Sequence, residues 1–169
     1  MRLIHYSSED IEKLETRSYD QNEFRWHAKP HGLWVSVEGE NVGDNWKEWC
    51  EGEKFELECL VNSYEVMLKD DANILQLKTA EEIFEFTKKF PIKTRDWDAE
   101  WDTYQLDWNK VKSLYQGIII SPYQWGCRLA LESCWYYGWD CSSGCLWDLT
   151  CIKEWKRLPK DSLPAKEQT

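Results

Sequence analysis

The sequence has no long apolar run and no secretory signal. No stretch approaches the roughly 20 apolar residues that cross a bilayer, and no basic segment followed by an apolar one begins the chain. The chain contains seven cysteines, an odd number. We therefore expect a cytoplasmic protein with reduced thiols and no membrane partner.

Positive charge is also scarce. Lysine and arginine total 21 against 31 aspartates and glutamates, which gives a formal net charge of -10. A surface of this sign repels phosphate backbones and anionic membranes within about a Debye length. General nucleic-acid binding is therefore not expected, although a small basic pocket is compatible with the composition.

Several catalytic and phosphate-binding motifs are missing. The chain has neither GxxxxGK(S/T) nor GxGxxG, so ATP binding and Rossmann-type dinucleotide binding are not supported. It has no GxSxG elbow, and the residues around Cys127 do not form a cysteine-protease signature. Because nothing marks a particular nucleophile, a nucleophilic hydrolase is a weak hypothesis.

The cysteines and histidines do not form a metal-binding pattern. A structural zinc site requires four ligands in two close pairs, and the close pair here is Cys141 and Cys145. The three histidines, His5, His27 and His31, lie far from it in sequence. We predict no metal and interpret the cysteines as small core residues.

Tryptophan, by contrast, is abundant. The 169 residues include 12 tryptophans, which can fill a core, line a ligand pocket or form a partner interface. The length suits one domain with a real core. We predict a single domain over residues 1–158 and a flexible tail over residues 159–169.

Strand and helix patterns mix without a regular βαβ rhythm, which predicts an α+β fold. Helix start signals occur at Asp44 or Asn45, at Thr79 with Glu82, and at Asp107. The predicted helices cover residues 46–55, 80–90, 108–115 and 127–137, and the predicted strands cover residues 2–7, 32–37, two segments within 64–77, 117–121 and 144–155.

The second predicted strand separates its side chains by chemistry. Leu33, Val35 and Val37 fall on one face and suit a core, whereas Trp34 and Ser36 fall on the other face. This alternation indicates a strand with one buried side and one side available to a ligand.

If the first strand is a neighbour of the second, His5 and Ser7 could join Trp34 and Ser36 in one cleft. A histidine can donate to a ribose hydroxyl, a serine can bond an amide, and a tryptophan can stack on a flat ring. The simpler alternative is that His5 is a hydrogen-bonded core histidine and Trp34 a core aromatic.

Three segments in order resemble those of ADP-ribosyltransferase-like proteins, the NAD-binding superfamily with the diphtheria-toxin type of fold. "LIHYS" is similar to the His-x-Ser/Thr first strand of that family, and "KPHGLWVS" resembles its second motif, a glycine and an aromatic on a strand. "YEVMLKDDANILQLKTAEEIFEF" resembles its middle part. The resemblance covers residues 1–90, and its specificity comes from the order of the three segments.

The resemblance implies a split, mainly antiparallel sheet with flanking helices, and NAD in the cleft. It implies that His5 contacts the adenosine ribose and that Ser7 makes a supporting contact. It also implies that Trp34 stacks on the nicotinamide ring. Backbone at Gly32 or Leu33 would hold the nicotinamide amide. The implied NAD contacts are His5, Tyr6, Ser7, Gly32, Leu33, Trp34 and Ser36.

The family uses a glutamate, or a substitute, on a later strand, because a carboxylate stabilises the positive charge that develops on the ribose. The strand over residues 117–121 carries no acid. The polar candidates beyond it are Gln124, Glu132, Asp140 and Asp148, of which we select Gln124 and Asp140 as candidate catalytic residues. The resemblance thus implies NAD-dependent mono-ADP-ribosylation of a macromolecule, expected to be a protein, by a phage or bacterial effector.

The alternative is an acidic, tryptophan-rich binding or inhibitor protein without catalytic activity. Residues 96–108 interleave acids and aromatics, and this segment could contact a basic partner site. Charge reversal at Asp98, Glu100 and Asp102 would then abolish capture of the partner. A solvated acidic loop is the simpler interpretation of the same segment.

Overall fold

The computed structural model of the protein describes residues 1–21, 29–39, 44–92 and 105–159. These ranges contain seven strands: β1 (Arg2–Ser7), β2 (Leu33–Glu38), β3 (Asn62–Leu68), β4 (Ile74–Leu77), β5 (Gly117–Ile120), β6 (Ser143–Leu146) and β7 (Ile152–Arg157). They form one sheet in the order β4-β5-β6-β2-β1-β3-β7. The pairing of β4 with β5 is parallel, and the other pairings are antiparallel.

The helices are short. They are α1 (Trp46–Glu53), α2 (Ala80–Lys89), α3 (Trp108–Lys112) and α4 (Trp125–Arg128), with 3-10 segments at Leu57–Leu60, Leu131–Gly138 and Leu149–Cys151. No helix among the described residues is both long enough and apolar enough to cross a bilayer. The predicted α+β class is confirmed.

The predicted helix starts are confirmed by their hydrogen bonds. Asn45 accepts from the Glu48 backbone N–H at 3.0 Å, and the Glu48 carboxylate accepts from the Asn45 N–H at 3.3 Å. Thr79 and Glu82 form the same reciprocal pair at the start of α2. Each box satisfies two backbone donors that a helix leaves free, so these starts are encoded locally.

The short connection between β3 and β4 requires the sheet to curl. Four strands separate β3 from β4 in the sheet order, which in a flat sheet is a distance of about 24 Å. The chain from Leu68 to Ile74 spans at most about 21 Å when fully extended. Lys69 in this connection donates its backbone N–H to the Cys151 carbonyl oxygen at 2.8 Å, just before β7.

The concave side of the curled sheet encloses an apolar core, called here the inner core. As predicted, Leu33, Val35 and Val37 face it. Every strand contributes at least one side chain, among them Leu3, Val35, Val66, Ile74, Ile119, Leu146 and Ile152. Burial of this shared surface therefore stabilises the curl as well as the individual strands.

The convex side packs against the helices through a tryptophan cluster. Its buried tryptophans are Trp108, Trp135, Trp139 and Trp147, which pack with Phe86 and the outer residues of β5. The Trp135 indole N–H donates to the Thr87 hydroxyl at 2.7 Å, which removes the cost of burying a polar atom. These four tryptophans therefore fill a core, which is one of the three uses of tryptophan that the composition allowed.

The predicted single strand over residues 144–155 is wrong. β6 ends at Leu146, and β7 begins at Ile152 after a 3-10 turn. Asp148 caps that turn by accepting from the Thr150 N–H at 3.0 Å, and the Gln116 carbonyl accepts from the Asp148 N–H at 3.1 Å. The local cap at Asp148 and the long-range bond to Gln116 together break the strand, although the apolar alternation continues through it.

The predicted helix over residues 127–137 is also wrong in part. α4 ends at Arg128, and a 3-10 segment follows that contains a kink at Ser133, where φ is -139°. The Ser133 hydroxyl donates to the Cys127 carbonyl oxygen at 2.8 Å, so the side chain competes with regular helix bonding. The predicted tail, apart from its first residue, lies outside the described residues.

A substitution of Gly144 tests how closely β5 and β6 approach each other at this position. A Cβ at this position would lie 2.6 Å from the Ile118 carbonyl oxygen, so we expect Gly144→Ala to destabilise the protein by about 1–3 kcal/mol. Gly126→Ala is the matched control because no atom lies within 4 Å of its Cβ position. Chemical denaturation measures both variants, and equal stabilities would contradict the close approach.

Candidate functional site

The pairing of β1 with β2 stops partway along both strands. Paired residues run from Arg2 opposite Glu38 to Ile4 opposite Ser36. Beyond that point His5 Nδ1 contacts the Trp34 carbonyl oxygen at 2.7 Å. A carbonyl oxygen only accepts, so this nitrogen carries the proton. A side-chain hydrogen bond thus replaces backbone pairing where the strands part.

A cavity of about 240 Å³ lies at this parting, and we call it the β1–β2 pocket. Its walls come from β1, from β2, from the residues around Trp139, and from Lys29, Trp46 and Cys59. The pocket therefore joins the two strands that the sequence singled out to a segment more than a hundred residues later in the chain.

Five of the nine predicted site residues line this pocket. They come from β1, from β2 and from the end of the 3-10 segment: His5, Tyr6, Trp34, Ser36 and Asp140. The period-2 reading correctly separated Trp34 and Ser36 from the inner core. It did not anticipate that Asp140, far away in sequence, would share a wall with them.

The other four predicted residues lie elsewhere. Ser7 accepts a hydrogen bond from the Glu9 N–H at 3.0 Å, and Leu33 packs in the inner core. Gly32 lies against β6, where a Cβ would be 2.5 Å from the Leu146 carbonyl oxygen. Gln124 donates its side-chain amide to the Lys78 and Pro122 carbonyl oxygens at 2.9 Å each. None of the four lines the pocket.

Tryptophan forms much of the pocket wall. Trp34 is half-buried and meets Trp139 edge to face, with ring centroids 5.0 Å apart. Trp46 stacks on Trp49 with centroids 5.2 Å apart. Edge-to-face and stacked pairs fix ring orientation, so the pocket wall is a rigid aromatic surface of a kind that suits a flat ring.

Ser36 connects the pocket to α1. Its buried hydroxyl accepts from the Trp46 backbone N–H at 3.0 Å, one of the donors that a helix start leaves free. Ser36 therefore positions Trp46 at the pocket wall. This hydrogen bond gives Ser36 a structural role, and its predicted contact with NAD stays a prediction.

Asp140 is held by two cations. Its Oδ1 accepts from Arg128 Nη2 at 2.9 Å, and its Oδ2 lies 3.8 Å from Lys29 Nζ. The Arg128 guanidinium lies 5.8 Å from the Trp125 ring centroid and 5.5 Å from that of Tyr137. These contacts restrain Arg128, which in turn fixes the carboxylate at the pocket.

Trp139 contributes a donor without a partner. It is 1% exposed, and its indole N–H has no hydrogen-bond partner among the described residues. A buried donor in this state costs about 1–3 kcal/mol. A ligand acceptor within reach of Trp139 could satisfy it.

The pocket cysteines do not favour thiolate chemistry. Burial raises the pKa of the Cys141 thiol to about 12, and burial with the nearby Glu56 carboxylate raises the pKa of Cys59. Thiols with raised pKa values stay protonated at neutral pH and are poor nucleophiles. No group of three or more histidine, cysteine or acidic side chains that could hold a metal occurs in the described ranges.

Sequence reasoning missed Lys29, Trp46 and Trp139 as pocket residues. Lys29 is the first residue of the "KPHGLWVS" segment, and Trp139 directly precedes Asp140, so closeness to predicted residues in the sequence was the available signal. It could not be used without knowing which late segment returns to β2.

Comparisons with known proteins identify no relative of this chain. No protein-family model matches the chain, and neither the curated proteins nor the solved structures contain a significant match to it.

The partly buried position of His5 predicts a pH-dependent stability. Burial lowers the pKa of His5 below its ordinary 6.5, against the opposing effect of the Trp34 carbonyl contact. The unfolded chain then binds the proton more readily, so this contribution is complete above about pH 6.5 and is lost as the pH falls toward the folded pKa. NMR titration should give a His5 midpoint below 6.5.

His5→Gln is the control for that dependence. It should flatten the part of the stability curve between the folded pKa and about pH 6.5, as measured by urea denaturation at several pH values. A His5 midpoint at or above 6.5 would contradict the assignment.

Proposed function

We propose that this protein is ADP-ribosyltransferase-like and binds NAD with its nicotinamide end in the β1–β2 pocket. The observation that carries the proposal is that His5, Trp34, Ser36 and Asp140 line one pocket. Three of them come from the two motifs that resemble the family, and the fourth is a candidate acid. The seven strands form one continuous sheet, so the split sheet that the resemblance implies stays a prediction; the early end of the β1–β2 pairing is the feature nearest to it.

The pocket suits one end of the dinucleotide. Its volume of about 240 Å³ is below the 300–1,000 Å³ of sites that enclose a drug-sized ligand. In the proposal it holds the nicotinamide ring against Trp34, and the rest of NAD extends from the opening past His5. The indole N–H of Trp139 is a candidate donor to the carboxamide oxygen.

Asp140 is the preferred candidate for the catalytic acid. When the bond between nicotinamide and ribose breaks, the bonding electrons leave with nicotinamide and positive charge develops on the ribose. A fixed carboxylate stabilises that charge without reorganising. Gln124 is the weaker candidate because its amide is bonded to two backbone carbonyls away from the pocket.

The wider features of the proposal rest on the resemblance alone. They are a cytoplasmic location, mono-ADP-ribosylation of a protein acceptor, and a role as a phage or bacterial effector. In the transfer step the acceptor nucleophile forms the new bond to the ribose carbon that nicotinamide leaves, and it loses its proton.

A binding protein without catalytic activity is the second candidate function. The formal charge of -10 favours a basic partner, and Trp125, Leu129 and Leu131 are exposed together in and after α4. The proposed contact residues Asp98, Glu100 and Asp102 lie outside the described residues. This candidate predicts partner capture with no release of nicotinamide.

Replacement of Asp140 tests the catalytic proposal. With purified protein and NAD we expect release of free nicotinamide, measured by chromatography, and labelling of a cell lysate. Asp140→Asn should slow release by about a hundredfold or more, a larger effect than its weakening of NAD binding, which calorimetry measures. Glu132→Gln is the matched control because it removes an exposed acid that does not line the pocket.

Absence of both NAD binding and nicotinamide release in the unmodified protein would refute the proposal. Full activity in Asp140→Asn would instead remove Asp140 from the catalytic role.

Trp34 provides a second test. Trp34→Leu should weaken NAD binding by about 1 kcal/mol through loss of stacking, and Trp34→Phe should keep most of the affinity. Calorimetry measures binding, and thermal unfolding measures stability. A large loss of stability in both variants with no specific change in affinity would favour a purely structural role for Trp34.

A further inference from the structure

The β1–β2 pocket contains a site that suits a cation. The Lys29 ammonium lies 5.1 Å from the Trp34 ring centroid and 3.8 Å from Asp140 Oδ2. An aromatic face attracts a cation within about 6 Å, and the carboxylate adds a direct charge interaction. Among the described residues that line the pocket, Lys29 is the one lysine or arginine.

Lys29 occupies this site loosely. Its side chain is 42% exposed, and its distance of 3.8 Å from Asp140 exceeds the 2.9 Å between Asp140 and Arg128. Ion pairs that remain open to water contribute little, about 0.2–1 kcal/mol. The flexible lysine chain can therefore leave the site at a small cost.

One contact keeps the site intact after Lys29 leaves. Arg128 binds Asp140 Oδ1, so the carboxylate stays at the pocket with Oδ2 facing the position that Lys29 vacates. Gly138 leaves room for the lysine chain in its present position, because a Cβ there would lie 2.8 Å from Lys29 Cε. The site is thus built around the lysine and is separable from it.

We propose that the pocket selects a flat aromatic ring that carries a positive charge, and that Lys29 occupies the charge site until such a ring displaces it. Trp34 stacks on the ring, and Asp140 balances its charge. The oxidised nicotinamide ring is an N-alkylpyridinium cation of this class, whereas free nicotinamide and the reduced ring are neutral. As applied to NAD, this inference rests on the proposed function.

The test uses two small probes that differ mainly in charge. We expect NMR titration of the indole N–H signals to show tighter binding of the 1-methylnicotinamide cation than of neutral nicotinamide. Lys29→Met removes the competing ammonium, and it should tighten binding of the cation about two- to fivefold while leaving nicotinamide binding unchanged. Asp140→Asn should abolish the preference for the cation.

Lys153→Met is the matched control. It makes the same change in net charge at an exposed position of β7 that does not line the pocket, so it should not alter the binding of either probe. Lys29→Gln keeps a polar end on the chain and serves as a second variant if Lys29→Met is unstable.

Three results would overturn the inference: no binding of the cation, equal binding of the two probes, or weaker binding of the cation after Lys29 is replaced. The outcome is separable from the proposed function. Suppose that Lys29→Met tightens the binding of 1-methylnicotinamide, but the protein neither binds NAD nor releases nicotinamide. The cation site would then be supported, and the proposed transferase function would be refuted.

Discussion

The contact between His5 Nδ1 and the Trp34 carbonyl oxygen is the interaction on which the pocket depends. Adjacent antiparallel strands normally continue to pair, and parting them leaves backbone groups that must find other partners. At this point the histidine side chain satisfies the carbonyl and occupies the gap. Its burial lowers the pKa of His5, which favours the neutral ring. The strands can then diverge, and the space between them becomes the pocket.

The two cores hold this parting in place from opposite sides. The inner core binds all seven strands into a curled sheet, while the tryptophan cluster on the convex side carries Trp139 to the pocket and packs against Trp34. The same side of the protein fixes Asp140 through Arg128. Aromatic packing and the ion pair between Asp140 and Arg128 therefore create a rigid, largely apolar wall, in which Asp140 is the one carboxylate among the described residues. Lys29 is held more loosely, and in our proposal it is the side chain that moves.

Local interactions made much of the fold predictable. Side-chain alternation within a few residues predicted the first two strands and the two faces of β2. Hydrogen bonds within a few residues explain the capped starts of the helices. The failures occurred where side-chain hydrogen bonds or distant backbone groups compete with the pattern of apolar residues. Gln116 and Asp148 divide residues 144–155 into two strands, and Ser133 interrupts the helical pattern that precedes Asp140.

The sequence by itself determined that Trp34 and Ser36 face away from the inner core, because side chains alternate strictly along a strand. It also nominated His5 and Asp140. Only the tertiary structure decided that these residues share a pocket and that Ser7, Gly32, Leu33 and Gln124 do not line it. The physical reason is that both the curl of the sheet and the position of Trp139 beside β2 arise from packing between segments far apart in sequence. Local sequence patterns do not predict such packing.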